Sequence, residues 1–506
     1  MNMGMLGLWI AQLTFSVLLA GAGTALLAPA ERMRGAKALA ALSILPLLAL
    51  HAVLAWQAAV LRVEDGVLHA PWRFSASLFA LHLVAGVGLF GWARTGRTLL
   101  GWSGGRLALG ALVAAAFSFT TLRVLNLEAS LSLAGLRSEA GQTAYELAPP
   151  ISDPALDAGP IYERANKELF EGDDWLDLSD FTALIAGKAP LEPELASVRA
   201  ALERAAPWMD SVRNATRLPH CRSTPTGADE LVRVPRILSW IGLTRLLCLE
   251  ARVRAASGDV EGAVEDCEAA LRLSEQLAGM PTLISLAGGS VARAEVLPTL
   301  LHVVSLDGIR AEHLARLDAQ LSRPFARLAH DALRMEEAFG LALIGSSIAD
   351  GTSEFVGFSE GRAGWLTPPL YAPFLLKDDV RGYRELMQEL LLESRMSFEQ
   401  LAELAQDDSS MAARARAHGT IAAIAAPNLR RVLLQVQRND ALVRLARLAL
   451  QSSRERLATG SFPTTTGKWS EGPDEVRVEG DGSSIRIFRA DPSESGKSLE
   501  VSLPAR

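Results

Sequence analysis

Two ionisable side chains, His51 and His82, sit deep within long apolar stretches. The midpoint between them falls near residue 66, inside the intervening loop, so an antiparallel hairpin of the two stretches brings both to similar depth. Ionisable groups inside a membrane are functional candidates by default. Two facing imidazoles can ligate a b-type haem or a metal ion, or pass a proton. The competing reading is a polar pair bonded across a helix contact, or two histidines on different faces. No carboxylate accompanies them in the apolar runs, which weakens a transport reading.

Other reactive residue types are sparse. The three cysteines, Cys221, Cys248 and Cys267, form no CxxC pair. Cys248 and Cys267 fall on helical faces and read as core residues. Cys221, between His220 and Arg222, has the neighbours that can lower a thiol pKa. Glu171, Asp173, Asp174, Asp177 and Asp180 make the densest acidic run, but their spacing matches no EF-hand and suits a solvated edge. Arg430, Arg431, Arg438, Arg444, Arg447 and Arg454 share one expected helix. They suit a solvated face paired with acidic helices better than a lipid or nucleic-acid contact. Gly467-Lys468-Trp469 and Gly496-Lys497-Ser498 lack the opening glycine of a phosphate loop, and there is no HExxH. The segment Gly351–Phe374 has little helical pattern and holds Phe355, Phe358, Trp365, Tyr371 and Phe374. Long loops in compact domains are usually functional or mobile; this one can pack on its own domain, dip to the membrane surface or bind a partner, and its aromatic residues are the partner-contact candidates.

The elements that must position these residues divide the 506-residue chain in two. Residues 1–127 contain nine basic and three acidic residues, about +6. Residues 128–506 hold the other 41 basic and 54 acidic residues, about −13. That split excludes a simple soluble enzyme, a disordered chain, a disulfide-stapled secreted domain and a nucleic-acid binder with a basic bulk surface. Four apolar runs, about Leu6–Ala28, Lys37–Val60, Phe74–Ala93 and Leu107–Leu127, each approach the roughly 20 residues of a membrane span. The first has no basic n-region and exceeds a signal-peptide core, so it reads as a retained span. Trp56, Trp72, Trp92 and Trp102 fall near the span ends, as an interfacial belt does. Arg32, Arg34, Lys37, Arg94, Arg97 and Arg106 place loops one and three in the cytoplasm, against Arg62, Arg73, Arg123 and Arg137 on the other side. The acidic remainder then lies on the outer, periplasmic face of an inner or plasma membrane.

Prolines 149, 150, 154 and 160 mark a polar linker. Apolar residues at three- and four-residue spacing then predict helices over Leu191–Arg217, Ala228–Ala256, Val260–Gly279, Thr282–Val304, Ala311–Ser322, Leu328–Ile348, about Val380–Gln406 and Asn428–Thr459. Within Leu246–Leu273, Ala251, then the Gly258-Asp259 turn, then Ala263 and Ala270 flanking Cys267 allow two helices to touch. This stretch resembles a tetratricopeptide (TPR) helical hairpin and covers most of one repeat; no second copy is evident. The wider stretch from Leu218-Pro219-His220-Cys221-Arg222 to Ala292 resembles a group of uncharacterised bacterial membrane-anchored proteins with a TPR-like middle, a resemblance that implies no activity. The helix ending at Gly460, followed by Ser461-Phe462-Pro463, is similar to the helix-to-strand step of type II secretion pseudopilins. Val476–Glu479 and Ile485–Ile487 alternate around Gly480-Asp481-Gly482 as a hairpin, with Leu499, Val501 and Leu503 offering a third strand.

The expected fold is therefore mainly α. A four-helix transmembrane bundle spans 1–127, a linker 128–160, a TPR-like α-helical domain 161–459 and a small β hairpin or meander 460–506. The expected function is an integral membrane protein that presents its helical domain to protein partners, without catalysis and without nucleic acid. The alternative is a redox or transport component using His51 and His82.

Overall fold

The computed structural model describes residues 134–171, 176–222, 237–349, 376–405, 420–462, 467–469, 476–480, 484–490, 493 and 498–503. Within them the chain is mainly helical and ends in a small antiparallel sheet. The four apolar runs, with His51 and His82, and the aromatic loop 351–374 lie outside the described residues. Among the described residues, no helix is long and apolar enough to cross a membrane.

The main helices are α1 (134–147), α2 (Gly159–Phe170), α3 (Leu195–Ala215), α4 (Ile237–Ala256), α5 (Val260–Gly279), α6 (Leu283–Val304), α7 (Ala311–Leu321), α8 (Ala329–Ala349), α9 (Leu376–Glu393), α10 (Phe398–Ala405) and α11 (Thr420–Thr459). A single helical turn, Thr182–Ile185, precedes α3. The chain forms two compact units: 1–138 with 341–386 and 409–426, and 139–340 with 387–408 and 427–506. The described residues of the first are helical and bury Leu341, Ala342, Val380, Tyr383 and Leu386. The second carries the main core and the sheet.

Helix ends have local causes. Gly258, at φ +83°, turns the chain between α4 and α5, a conformation that L side chains resist. Asp259 then caps α5, its carboxylate accepting the Gly262 amide at 3.0 Å. Thr282 does the same for α6, accepting from the Ser285 amide at 3.2 Å. Two expectations need correction. The stretch read as a proline-broken linker carries α1, which stops before Pro149, and its later prolines begin helices: Pro154 opens a 3₁₀ turn and Pro160 lies in the first turn of α2. A missing N–H costs nothing there. The single helix expected from Val380 to Gln406 is two helices. The Ser397 hydroxyl accepts the Gln400 amide, and the Gln400 side chain accepts the Ser397 amide, a capping box that starts α10.

Helices α4, α5 and α6 form the centre, joined by short turns that make neighbours antiparallel. Cys248, Ala251, Ala263, Cys267 and Ala270 are fully buried at their contacts. Gly289 lets α6 approach α5 closely: a Cβ there would lie 2.5 Å from the Ala278 backbone nitrogen. Buried polar groups tie the helices together. Arg252 donates to the Leu184 carbonyl at 2.7 Å, capping the Thr182–Ile185 turn, and Arg293 donates to the carbonyls of Leu321 and Arg323 at the end of α7. On α11, the Asp440 carboxylate accepts the amides of Phe325 and Ala326 at 3.1 and 2.7 Å.

The sheet is a meander of β1 (Gly467–Trp469), β2 (Val476–Gly480), β3 (Ile485–Ala490) and β4 (Ser498–Leu503). Val478 opposes Ile487, which opposes Val501. Val476, Val478, Ile485, Ile487, Leu499, Val501 and Leu503 are buried in the helical core, so the two-residue alternation is the period of a one-sided sheet. Gly467-Lys468-Trp469 is thus a strand.

Candidate functional site

Helix α5 carries Glu261, Glu268 and Glu275 at seven-residue spacing, close to two helical turns, so the three share one stripe. Helix α7 and the residues at its two ends answer with Arg310, Arg316 and Arg323. Arg316 grips Glu268 with two hydrogen bonds of 2.7 and 2.9 Å and reaches Glu261 at 2.6 Å. Arg323 meets Glu275 at 2.7 Å. Residue numbers rise together along the two helices, so α5 and α7 run parallel with α6 between them in sequence. The same holds for α3: Arg213 bonds Asp266 at 2.7 Å, and Gln276 donates to the carbonyls of Ala215 and Leu218 at 3.2 and 2.9 Å. Helices α3 and α7 therefore flank α5.

An open cleft lies between these walls. One part, about 430 Å³, is lined by Arg213, Arg217, Glu265, Glu268, Arg272 and Arg316. The adjoining part, about 590 Å³, is lined by His220, Cys221, Arg222, Glu275, Met280 and Arg323 among others. Both share Thr216, Arg272, Ala319 and Gln320.

Most of the wall charges are held. Hydrogen bonds from Arg316 and His313 keep Glu261 below the usual carboxylate range, and the Glu268 and Glu261 carboxylates raise the Arg316 guanidinium. Nδ1 of His313 accepts the Arg310 amide at 3.2 Å, while Nε2 faces both the Glu261 carboxylate at 2.9 Å and the Arg310 guanidinium at 2.8 Å. Beneath the cleft, Asp266 is fully buried. Burial, with the Glu250 carboxylate nearby, outweighs the attraction of Arg213 and Arg254 and pushes Asp266 up to about 6.

The Arg217–Arg222 turn is fixed by backbone. Asp157 accepts the amides of Gly159 and Arg222 at 3.0 and 2.8 Å. His220 exchanges main-chain bonds with Leu156 and Ala158. Gly159 is required here, since a Cβ would sit 1.9 Å from the Arg222 carbonyl oxygen. The turn leaves the side chains of Arg217, His220 and Arg222 without an ion pair or hydrogen bond among the described residues, and Glu265 across the cleft is likewise unpaired.

The other sequence candidates are placed differently. Cys221 is partly buried, and burial with the Asp157 and Glu163 carboxylates pushes its thiol up, opposite to the activation its sequence neighbours suggest. Cys248 and Cys267 are buried core thiols, Cys248 pushed up to about 12 by burial. Of the acidic run, Asp173 and Asp174 lie outside the described residues, and Asp177 accepts the Ser179 amide. Among the described residues, no group of three His, Cys, Asp or Glu side chains could hold a metal ion. The basic run on α11 is only partly solvated: Arg430 is buried against Glu393, while Arg447 pairs with Asp318 at 2.8 Å. His51, His82, Phe355, Phe358, Trp365, Tyr371 and Phe374 lie outside the described residues. The cleft itself was not among the sequence candidates, although the seven-residue glutamate stripe was a usable signal.

No family model matches this chain, and no curated protein or solved structure does either.

Proposed function

We propose that this protein is a membrane-anchored scaffold. In this reading residues 1–127 form a four-span anchor in the inner or plasma membrane. The TPR-like helical domain is then presented, on the outer face, to protein partners. The observation that carries it is the cleft along α5. Its walls are pre-set by ion pairs, while the side chains of Arg217, His220 and Arg222 stay unengaged among the described residues. A surface already organised loses little freedom on binding. The Gly258-Asp259 hairpin, with alanines buried between its helices, supports the TPR-like description. The apolar front and its loop charges support the anchor and its orientation.

The test is photo-crosslinking in native membranes, with a benzoylphenylalanine introduced at Ala319 on the cleft wall and, in a second variant, at the exposed Ala256 away from it. The expected result is a discrete protein adduct from Ala319. Absence of any protein adduct from both positions would sink the scaffold reading.

A further inference from the structure

Charges already paired within the cleft largely cancel, so a ligand meets the ones left over. These are Arg217 and Arg222, with His220 as a further polar group, against Glu265 alone. We propose that the cleft binds an extended acidic segment of a partner protein, with the Arg217 and Arg222 guanidinium groups taking its carboxylates. This rests on the scaffold reading and names the chemistry of the partner.

Three observations lead there. The first is the fixed backbone that carries the two arginines. Asp157 accepts the backbone amides of Gly159 and Arg222 on one oxygen. Arg222 is also partly buried, and the attraction of the Asp157 carboxylate offsets only part of what burial costs its charge. The second is length. The cleft follows α5 from Glu265 to Gly279, about 21 Å at the rise of an α-helix. That run accommodates about six residues of extended chain, too long for a single small anion to occupy. The third is the balance of charge around it. Residues 128–506 carry about −13, which repels a long polyanion such as a nucleic acid far more than a short segment with a few carboxylates. A local pair of unengaged arginines suits a few carboxylates that enter the cleft.

Binding is measured with the full-length chain in a non-ionic detergent, by fluorescence anisotropy of a fluorescein-labelled octapeptide of alternating Glu and Ala. Its counterpart of alternating Lys and Ala is the control. The acidic peptide binds and the basic one does not. Arg217→Glu with Arg222→Glu weakens binding by about tenfold or more, and Arg217→Lys with Arg222→Lys retains most of it, because the contact is chiefly electrostatic. Unchanged thermal unfolding of both double variants shows that the fold is kept. The proposal is overturned if the acidic peptide does not bind, if both peptides bind equally, or if charge reversal leaves affinity unchanged. It is also overturned if free glutamate competes as well as the peptide at equal carboxylate concentration, which would make the cleft a small-anion site. If the peptide fails while the Ala319 adduct still forms in membranes, the scaffold stands and only the acidic partner falls.

Discussion

Asp266 shows how a single side chain couples the cleft to pH. Its carboxyl has no exposure and titrates near 6 in the fold, above the ordinary 3.8. The folded state therefore holds this proton more tightly than the unfolded chain does. The resulting stabilisation is complete below pH 3.8 and is lost as pH rises through about 6. Above that the ionised group stays in place through Arg213 and Arg254. Asp266→Asn abolishes this titration. The difference in Tm between variant and parent should therefore shift in favour of the variant between pH 4 and 7, and a pH-independent difference would contradict the assignment. Asp266 was legible as a helical residue in the sequence. Its burial was not, because that depends on Arg213, 53 residues away.

At the scale of elements, helix periodicity was readable from α3 onward where one face meets water, but α2, which buries Tyr162, Ala165 and Leu169, went unread. The ends of α5 and α6 agree with the expected spans to within a residue, since Gly258-Asp259 and Thr282 are local signals. Reading failed where a residue has two possible roles. Proline was taken as a breaker but serves as a first-turn residue at Pro154 and Pro160. Ser397 and Gln400 form a capping box inside a stretch whose apolar spacing looked continuous. The cleft was not legible because it is the gap left among α3, α5 and α7 after packing, although its glutamate stripe was visible. Close packing within the central trio gives a direct test. Gly289→Ala places a Cβ 2.5 Å from the backbone of α5 and should cost about 1–3 kcal/mol, read as a lower midpoint in chemical denaturation. A midpoint equal to the parent's would mean that α5 and α6 stand further apart.

For the whole molecule, the proposed anchor makes the side of the membrane decide which partners can reach the cleft. The native thiols are poor reporters, because Cys248 and Cys267 are buried and Cys221 is partly so. Ala256→Cys puts a thiol at an exposed helix end. In intact spheroplasts a membrane-impermeant maleimide should label this variant and leave the parent unlabelled. Labelling only after lysis would reverse the orientation and bring cytosolic partners forward. The six loop charges against four are the reason to expect labelling without lysis.

Asp440 has a bearing on how the protein is made. It caps the Phe325 and Ala326 amides, Asn439 bonds Ser290 at 3.0 Å, and the strands from Val476 to Leu503 bury their apolar faces in the same core as α4, α5 and α6. While the ribosome is still translating residue 430, the central helices exist without their cover, and the Phe325 and Ala326 amides without their acceptor. The second unit can therefore finish folding only after nearly all of it has been synthesised. A nonsense codon late in the gene therefore takes Val476, Val478, Ile485, Ile487, Leu499, Val501 and Leu503 out of the core of the central helices.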